Sequence, residues 1–128
     1  MTRREQRINI MICLYQYLLI GNDINEIVKD VYAKEFDDIN EFSKEIIDFA
    51  LACQDELIKI TNSRLEDYTF ERLGYVEQAI VLSSLSEIAL ANIDRAIIIN
   101  EAVEIAKIYC DDIAFKLING ILDKWVKQ

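Results

Sequence analysis

The sequence predicts an all-α protein, a compact bundle of about seven helices arranged in two halves. Its 128 residues include no proline and only three glycines, so few positions interrupt a helix. Apolar residues recur at intervals of three and four, whereas the strict alternation typical of half-buried strands is missing. A chain of this length can bury one core, and we expect residues 1–128 to form a single domain with halves that meet near Asn62.

The first predicted helix begins after Thr2, because a threonine followed by a glutamate three residues later, here Glu5, is the pattern of a capping box. Gly21 is a natural end for this helix. Its apolar positions are Ile8, Met11, Ile12, Tyr15, Leu18 and Leu19. A shorter helix is expected to start at Asp23. Its buried positions are Ile27, Val28 and Val31.

The longest apolar pattern predicts one central buried helix across residues 39–60, with Asp38 and Glu41 placed to cap its start. Its inner positions are Ile39, Phe42, Ile46, Phe49, Cys53, Leu57 and Ile60. A short patterned piece follows and ends near Gly74.

Three further helices are predicted in the last part of the chain. Residues 75–91 form the first, with Glu77 and Glu87 exposed beside an apolar stripe. Asn100 suits the N-cap of the second, since its side chain can accept a hydrogen bond from a free backbone N–H. Asp111 and Asp112 introduce the third. The inner positions of the three helices are Val76, Ile80, Leu85, Ile88, Val103, Ala106, Cys110, Phe115, Ile118, Leu122 and Trp125.

The composition argues against a membrane protein. Apolar residues make up 52% of the chain, but charges interrupt them, and no run approaches the ~20 residues of a membrane span. The arginines near the start lead into an amphipathic segment and not into the apolar stretch of a secretory signal. We therefore expect a cytoplasmic protein without membrane association.

The residue types also argue against catalysis and metal binding. Cys13, Cys53 and Cys110 are far apart in sequence and no histidine accompanies them, so neither a zinc site nor a disulfide framework is expected. Without histidine the usual general base at neutral pH is missing, and no phosphate-binding loop or nucleophile motif is present. The sequence predicts no enzyme, no metal and no cofactor.

The net charge of −9 is unevenly distributed along the chain. Residues 1–21 carry three arginines and one glutamate, whereas residues 22–72 carry six basic and fourteen acidic residues. Residues 111–128 carry three of each. A negative net charge taken alone disfavours nucleic acid, but its distribution leaves the two ends of the chain as the segments best suited to phosphates.

Two groups of residues near the start are candidates for RNA contact. Arg3, Arg4 and Arg7 lie within about one helical turn, so their guanidinium groups can meet phosphates or stacked bases together. A solubilising helix end is the alternative. Tyr15 can stack on an unpaired base of single-stranded RNA, but it also fits the apolar stripe of its helix.

Two further pairs have both a functional and an ordinary interpretation. Lys116 and Asn119 are one turn apart and combine a phosphate contact with an amide able to bind a base edge or ribose. Glu77 and Glu87 lie ten residues apart, roughly three turns, and can share a face offered to a basic partner protein. A solvated helix surface explains either pair equally well.

Several ordered blocks of the sequence resemble the NusB family of transcription antitermination factors. They are YVEQAI at 75–80, INEAVEIAK at 99–107 and KLINGILDK at 116–124, with RREQR, LYQYLL and GNDI near the start. The resemblance runs from residue 3 to about residue 125 and is strongest in the last 55 residues.

This resemblance implies a NusB-like helical fold and a partner, NusE, which is also a small-subunit ribosomal protein. Together the two proteins would bind the single-stranded boxA element of ribosomal RNA transcripts, within the complex that helps RNA polymerase resist termination. Carried over by position, the RNA-binding residues would be Arg3, Arg4, Arg7, Tyr15, Lys116 and Asn119. The partner-binding residues would be Glu77 and Glu87.

Some positions depart from the family pattern. Glu5 lies inside the arginine-rich motif, where the family often has another basic residue. Ile113 and Ala114 occupy positions where the family has an acidic residue and a serine, and Ser86 stands in place of a tyrosine. These changes imply weaker RNA binding or an altered RNA preference on the same fold.

Three other interpretations stay open at this point. The chain could be an acidic protein-interaction module that keeps the helical scaffold and has lost RNA recognition. It could also correspond to the helical RNA-binding part of a ribosomal RNA cytosine methyltransferase, since it is too short to include the methyltransferase domain. Self-association into a homodimer is compatible with either interpretation.

Overall fold

The computed structural model describes residues 1–126, which form seven α-helices and no strand. The helices are α1 (Arg3–Ile20), α2 (Ile24–Tyr32), α3 (Glu41–Ala52), α4 (Gln54–Arg64), α5 (Tyr75–Leu90), α6 (Arg95–Tyr109) and α7 (Asp112–Val126). Short 3-10 helices occupy Phe36–Asp38 and Phe70–Arg72. The predicted all-α class and the number of α-helices are confirmed.

Helix α1 begins and ends as the sequence predicts. The Thr2 hydroxyl accepts a hydrogen bond from the Glu5 amide at 3.1 Å, and the Glu5 carboxylate accepts one from the Thr2 amide at 3.2 Å, which completes the capping box. Gly21 ends the helix with φ +77°, a conformation that glycine adopts at little cost. Leu19, predicted to be an inner position, is 47% exposed.

Helix α5 is the centre of the bundle. It packs against α1, α3, α4, α6 and α7. Through these contacts α5 joins the helices that precede it to the helices that follow it. The division of the bundle into two halves near Asn62 stays a prediction. This helix is buried nearly all round, which corrects the prediction that residues 39–60 form the central helix and that α5 buries one stripe only.

The polar residues of α5 explain why the sequence pattern does not reveal its burial. Ser84 and Ser86 donate hydrogen bonds to the backbone carbonyl oxygens of Ile80 and Leu82, one turn earlier in the same helix. A serine that is satisfied in this way can be buried at little cost. The predicted exposure of Glu87 is wrong, because only 3% of its surface is accessible.

Residues 39–60 form two helices, α3 and α4, instead of one. The helical geometry is interrupted at Cys53, which has φ −109° and ψ 16°. The cap of α3 is Asn40, whose side chain accepts a hydrogen bond from the Ser43 amide at 2.9 Å; Asp38 lies in the preceding 3-10 helix. Apolar spacing continues across Cys53 because both helices face the same core, so spacing alone does not reveal the break.

Helix α6 starts five residues before the predicted cap. Asp94 is the N-cap, and its carboxylate accepts a hydrogen bond from the Ala96 amide at 2.9 Å. Asn100 lies within α6 and is exposed, so its predicted capping role is wrong. Asp111 accepts a hydrogen bond from the Ala114 amide at 2.8 Å at the start of α7, as predicted. Helices α6 and α7 pack together across this short connection.

The cysteines are free thiols. Cys13 is buried, while Cys53 and Cys110 are partly buried. Burial raises the pKa of Cys13 to about 12 and that of Cys110 to about 11, with the carboxylates of Glu77 and Asp111 adding to the second shift. Thiols protonated in this way are unreactive at neutral pH.

Within residues 1–126, no helix is both long enough and apolar enough to cross a membrane.

Candidate nucleic-acid interface

The first two turns of α1 carry three arginines, and each guanidinium group is held in a different way. Arg3 is exposed, and its guanidinium carbon lies 3.8 Å from the centre of the Phe42 ring on α3. Its Nη1 also donates a hydrogen bond to the Gln6 side chain at 2.8 Å. Stacking on an aromatic face orients a guanidinium group without neutralising its charge. Arg3 is therefore a positioned and accessible cation.

Arg4 forms a two-point ion pair between α1 and α6. Its Nε and Nη2 donate to the two carboxylate oxygens of Glu101 at 2.9 and 3.3 Å. The Arg4 side chain is 46% exposed and that of Glu101 is 23% exposed. Hydrogen bonding to Glu101 raises the pKa of Arg4 above its ordinary value. The pair lies where solvent, and hence a ligand, can reach the guanidinium group.

Arg7 forms a second two-point ion pair, between α1 and α5, and this pair is buried. Its Nε and Nη2 donate to the carboxylate oxygens of Glu87 at 2.9 and 2.7 Å. Only 13% of the Arg7 side chain and 4% of the Glu87 side chain are accessible. The hydrogen bonds to Glu87 raise the pKa of Arg7 despite its burial. Two residues predicted to meet different ligands, RNA and a partner protein, thus bind each other.

The Arg7–Glu87 pair also borders a small cavity of about 20 Å³ inside the bundle. Ile10, Ile80 and Ile105, from three different helices, contribute to the apolar part of its wall. A void of this size next to an ion pair is large enough for one water molecule. It offers no room for a nucleotide or a cofactor.

Tyr15 lies two turns beyond Arg7 on α1 and is half-buried against the core. The sequence leaves open whether this ring packs inside or contacts RNA. The structure shows that part of it packs and part of it remains accessible. Contact with RNA stays a prediction for this residue.

Lys116 and Asn119 are exposed on α7, one turn apart as the sequence predicts. Neither side chain forms a hydrogen bond or an ion pair within residues 1–126, so both are available to a ligand. No hydrogen bond or ion pair joins them to the arginines in the same range. The connection is indirect, because α7 packs against α6, and α6 carries the Glu101 that binds Arg4.

Glu77 lies in the first turn of α5 and is half-buried. One of its carboxylate oxygens approaches Gly74 so closely that a Cβ atom there would lie 2.6 Å from it. Negative charge at this end of a helix is stabilised by the free backbone N–H groups. A structural role at the helix start therefore accounts for the position of Glu77, and its contact with a partner protein stays a prediction.

The sequence does not predict two of the residues that contact the α1 arginines, Glu101 and Phe42. Glu101 stands out as a polar residue within an apolar block, but its partner is 97 residues away. Phe42 fits the apolar pattern of its helix, and that pattern does not indicate that its ring faces Arg3. Both contacts depend on how distant helices pack, and no local spacing encodes them.

Comparison with known proteins gives consistent matches over nearly the whole chain. The model of the NusB family matches residues 4–127. The transcription antitermination protein NusB of Sulfurovum sp. is 35% identical over 126 residues, which cover 95% of this chain and 95% of that protein. The protein of the same name from Wolinella succinogenes is 32% identical over 126 residues, with 95% and 92% covered.

Two solved structures have the same fold. One is a crystal structure of the antitermination factors NusB and NusE in complex with double-stranded RNA. It aligns with a TM-score of 0.82 at 27% identity and covers 99% of this chain and 98% of the matched chain. The other is T. maritima NusB, with a TM-score of 0.84 at 24% identity and coverage of 100% and 92%.

Proposed function

This chain belongs to the NusB family, and we propose on that premise that it is a transcription antitermination factor that binds RNA together with NusE. The relatives that it matches over almost their full length are named for transcription antitermination. A structural neighbour at 27% identity was crystallised with both NusE and RNA. The role is that of a non-enzymatic protein acting in the cytoplasm as part of an RNA polymerase antitermination complex.

The proposed ligand is the single-stranded boxA element of ribosomal RNA transcripts. The observation that carries RNA binding is the pair of accessible guanidinium groups, Arg3 and Arg4, fixed at the capped start of α1. Their charges lie on a rigid helix that is packed against α3, α5 and, through Glu101, α6. Positioned guanidinium groups bind phosphates at two points and stack on unpaired bases.

The remaining site residues take supporting roles in this proposal. Arg7 joins α1 to α5 through Glu87 and thereby sets the direction in which Arg3 and Arg4 point. Tyr15 extends the surface along α1 with an aromatic ring. Lys116 and Asn119 add a phosphate contact and an amide from α7. Glu77, in the first turn of α5, belongs to the region that faces NusE.

The proposal is tested by titrating a boxA-containing RNA with the chain alone and with the chain plus NusE. We expect measurable binding that is tighter when NusE is present, and that weakens as salt is raised because phosphate contacts release counterions. Equal and negligible binding in both titrations would contradict the proposal.

A second candidate function is that of a protein-interaction module that has lost RNA recognition. It is favoured by the ion pairs themselves, because Glu87 and Glu101 already occupy two of the three arginines of the α1 surface. Recovery of NusE in a pull-down with the chain, together with no RNA binding at low salt, would support this candidate over the first.

A further inference from the structure

We propose that Glu101 competes with RNA phosphate for the guanidinium group of Arg4 and thereby limits the affinity of this surface for RNA. This inference rests on the proposed RNA-binding function. It adds a residue of opposite charge to the site, one whose removal should strengthen binding. Three observations support the inference. Glu101 occupies the edge of Arg4 that a phosphate would bind, the pair is accessible to solvent, and the other two arginines of α1 have different surroundings.

Glu101 occupies the edge of Arg4 that a phosphate would use. The carboxylate accepts hydrogen bonds from Nε and Nη2, which lie side by side on the guanidinium plane. Two parallel N–H groups of this kind bind a carboxylate or a phosphate in the same two-point geometry. The two anions therefore exclude each other at this edge, and binding RNA there requires that Glu101 be displaced.

The Arg4–Glu101 pair is accessible enough to be exchanged. Nearly half of the Arg4 side chain and about a quarter of the Glu101 side chain are in contact with solvent. Ion pairs at such positions are weakened by water and screened by salt, so a competing anion can replace one partner. The released Glu101 carboxylate can be hydrated, because it is not enclosed.

The other two arginines of α1 lack these properties. Arg7 and Glu87 are almost fully enclosed, and separating them would leave a buried charge without its counter-ion. Within the described part of the chain, no carboxylate pairs with the guanidinium group of Arg3, which stacks on Phe42 and donates to the neutral side chain of Gln6. Of the three, Arg4 is thus the one whose availability a carboxylate can adjust.

The test compares Glu101→Gln with Glu104→Gln as a matched control. Glu104 lies on the same helix and pairs with Lys107 at 3.2 Å, so its substitution removes the same charge without freeing the bound edge of Arg4. With a boxA RNA at about 50 mM salt, we expect Glu101→Gln to bind about threefold to tenfold more tightly than wild type. The slope of log Kd against log salt should steepen by at most about 0.7, the value for one phosphate on a single strand, because Glu101 keeps Arg4 from its phosphate in only part of the wild-type complexes.

A second background shows whether the effect passes through Arg4. In an Arg4→Gln chain, Glu101→Gln should change RNA affinity no more than Glu104→Gln does. Thermal unfolding of each variant checks that the fold is retained, which is expected because both glutamates are on the surface of the bundle.

The outcomes separate this inference from the function on which it rests. If wild type binds RNA and Glu101→Gln behaves like Glu104→Gln, competition is contradicted while the proposed function stands. Weaker binding by Glu101→Gln would also overturn the inference, since Glu101 would then position Arg4 for RNA. If no variant binds RNA, the function and the inference fail together, whereas binding by Glu101→Gln alone would support the inference.

Discussion

At the scale of single residues, the three arginines of α1 have similar positions in the sequence and different roles in the fold. Arg3 stacks on Phe42, Arg4 shares an accessible ion pair, and Arg7 is enclosed with Glu87. The sequence predicts a basic cluster at the start of the chain. It does not predict these differences, because each one depends on a residue from a distant helix.

The buried pair should be a stability element. Glu87→Gln keeps the side-chain shape but leaves the Arg7 charge without its counter-ion, and we expect the free energy of unfolding to fall by about 3 kcal/mol. Urea unfolding followed by circular dichroism measures this change. Glu104→Gln, at an accessible ion pair, should stay within about 0.5 kcal/mol of wild type. A decrease smaller than about 1 kcal/mol for Glu87→Gln would show that the pair is not needed for folding.

The ring of Phe42 should contribute to RNA affinity through Arg3. Phe42→Leu retains an apolar side chain but removes the aromatic face, so Arg3 loses its orientation, and we expect RNA binding to weaken about twofold to fivefold. Arg7 lies 5.8 Å from the same ring centre but keeps its two hydrogen bonds to Glu87. Phe36→Leu is the matched control, because its ring lies 5.9 Å from Lys44 and does not touch the arginines. Equal RNA affinities for the two variants would contradict a role for the stacking contact.

At the scale of helices, most elements follow from the sequence, and the errors have identifiable causes. Capping residues and glycine predict the bounds of α1 because those signals are local. The break at Cys53 has no such signal, since α3 and α4 face one core and keep the apolar spacing. The burial of α5 is hidden in the sequence because its serines bond to their own helix.

The capping box of α1 should support both stability and RNA binding. Thr2→Ala removes the hydrogen bond that the Thr2 hydroxyl accepts from the Glu5 amide, and we expect the free energy of unfolding to decrease by about 1 kcal/mol. RNA binding should weaken as well, because Arg3 and Arg4 lie in the helical turn that frays when this cap is lost. Asn62→Ala removes another neutral side chain that accepts a backbone hydrogen bond, here from Phe70 at 2.7 Å. It should cost similar stability and leave RNA affinity unchanged. A Thr2→Ala chain with full RNA affinity would contradict the proposed importance of the capped turn.

At the scale of the whole molecule, the all-helical class is predictable because proline is absent and the apolar spacing is helical almost throughout. The sequence does not predict which residues face each other across the bundle. The link from α7 to the arginines of α1 through Glu101 on α6 emerges only when the helices are packed.

Two buried groups that lose a proton at alkaline pH, a thiol and a phenol, should make the stability of the fold fall at high pH. Burial raises the pKa of Cys13 and of Tyr32 to about 12, from ordinary values of 9.0 and 10.0. Above about pH 9 the unfolded chain releases protons that the folded chain retains, so stability that is fully present below that pH should fall as the pH rises toward 12. Urea unfolding at several pH values measures the slope. Cys13→Ala should make the slope of unfolding free energy against pH less steep. An unchanged slope would contradict a raised pKa of Cys13 in the folded chain.

The exposed arginines of α1 are proposed to bind RNA phosphates, and the decisive measurement is the salt dependence of boxA RNA binding in the presence of NusE. Wild type is compared with Arg3→Gln/Arg4→Gln, which leaves the buried Arg7–Glu87 pair intact. We expect weaker binding by the double variant and a slope of log Kd against log salt that is shallower by about 0.7 for each phosphate that an arginine no longer binds. The same slope and affinity for both chains would contradict the proposal.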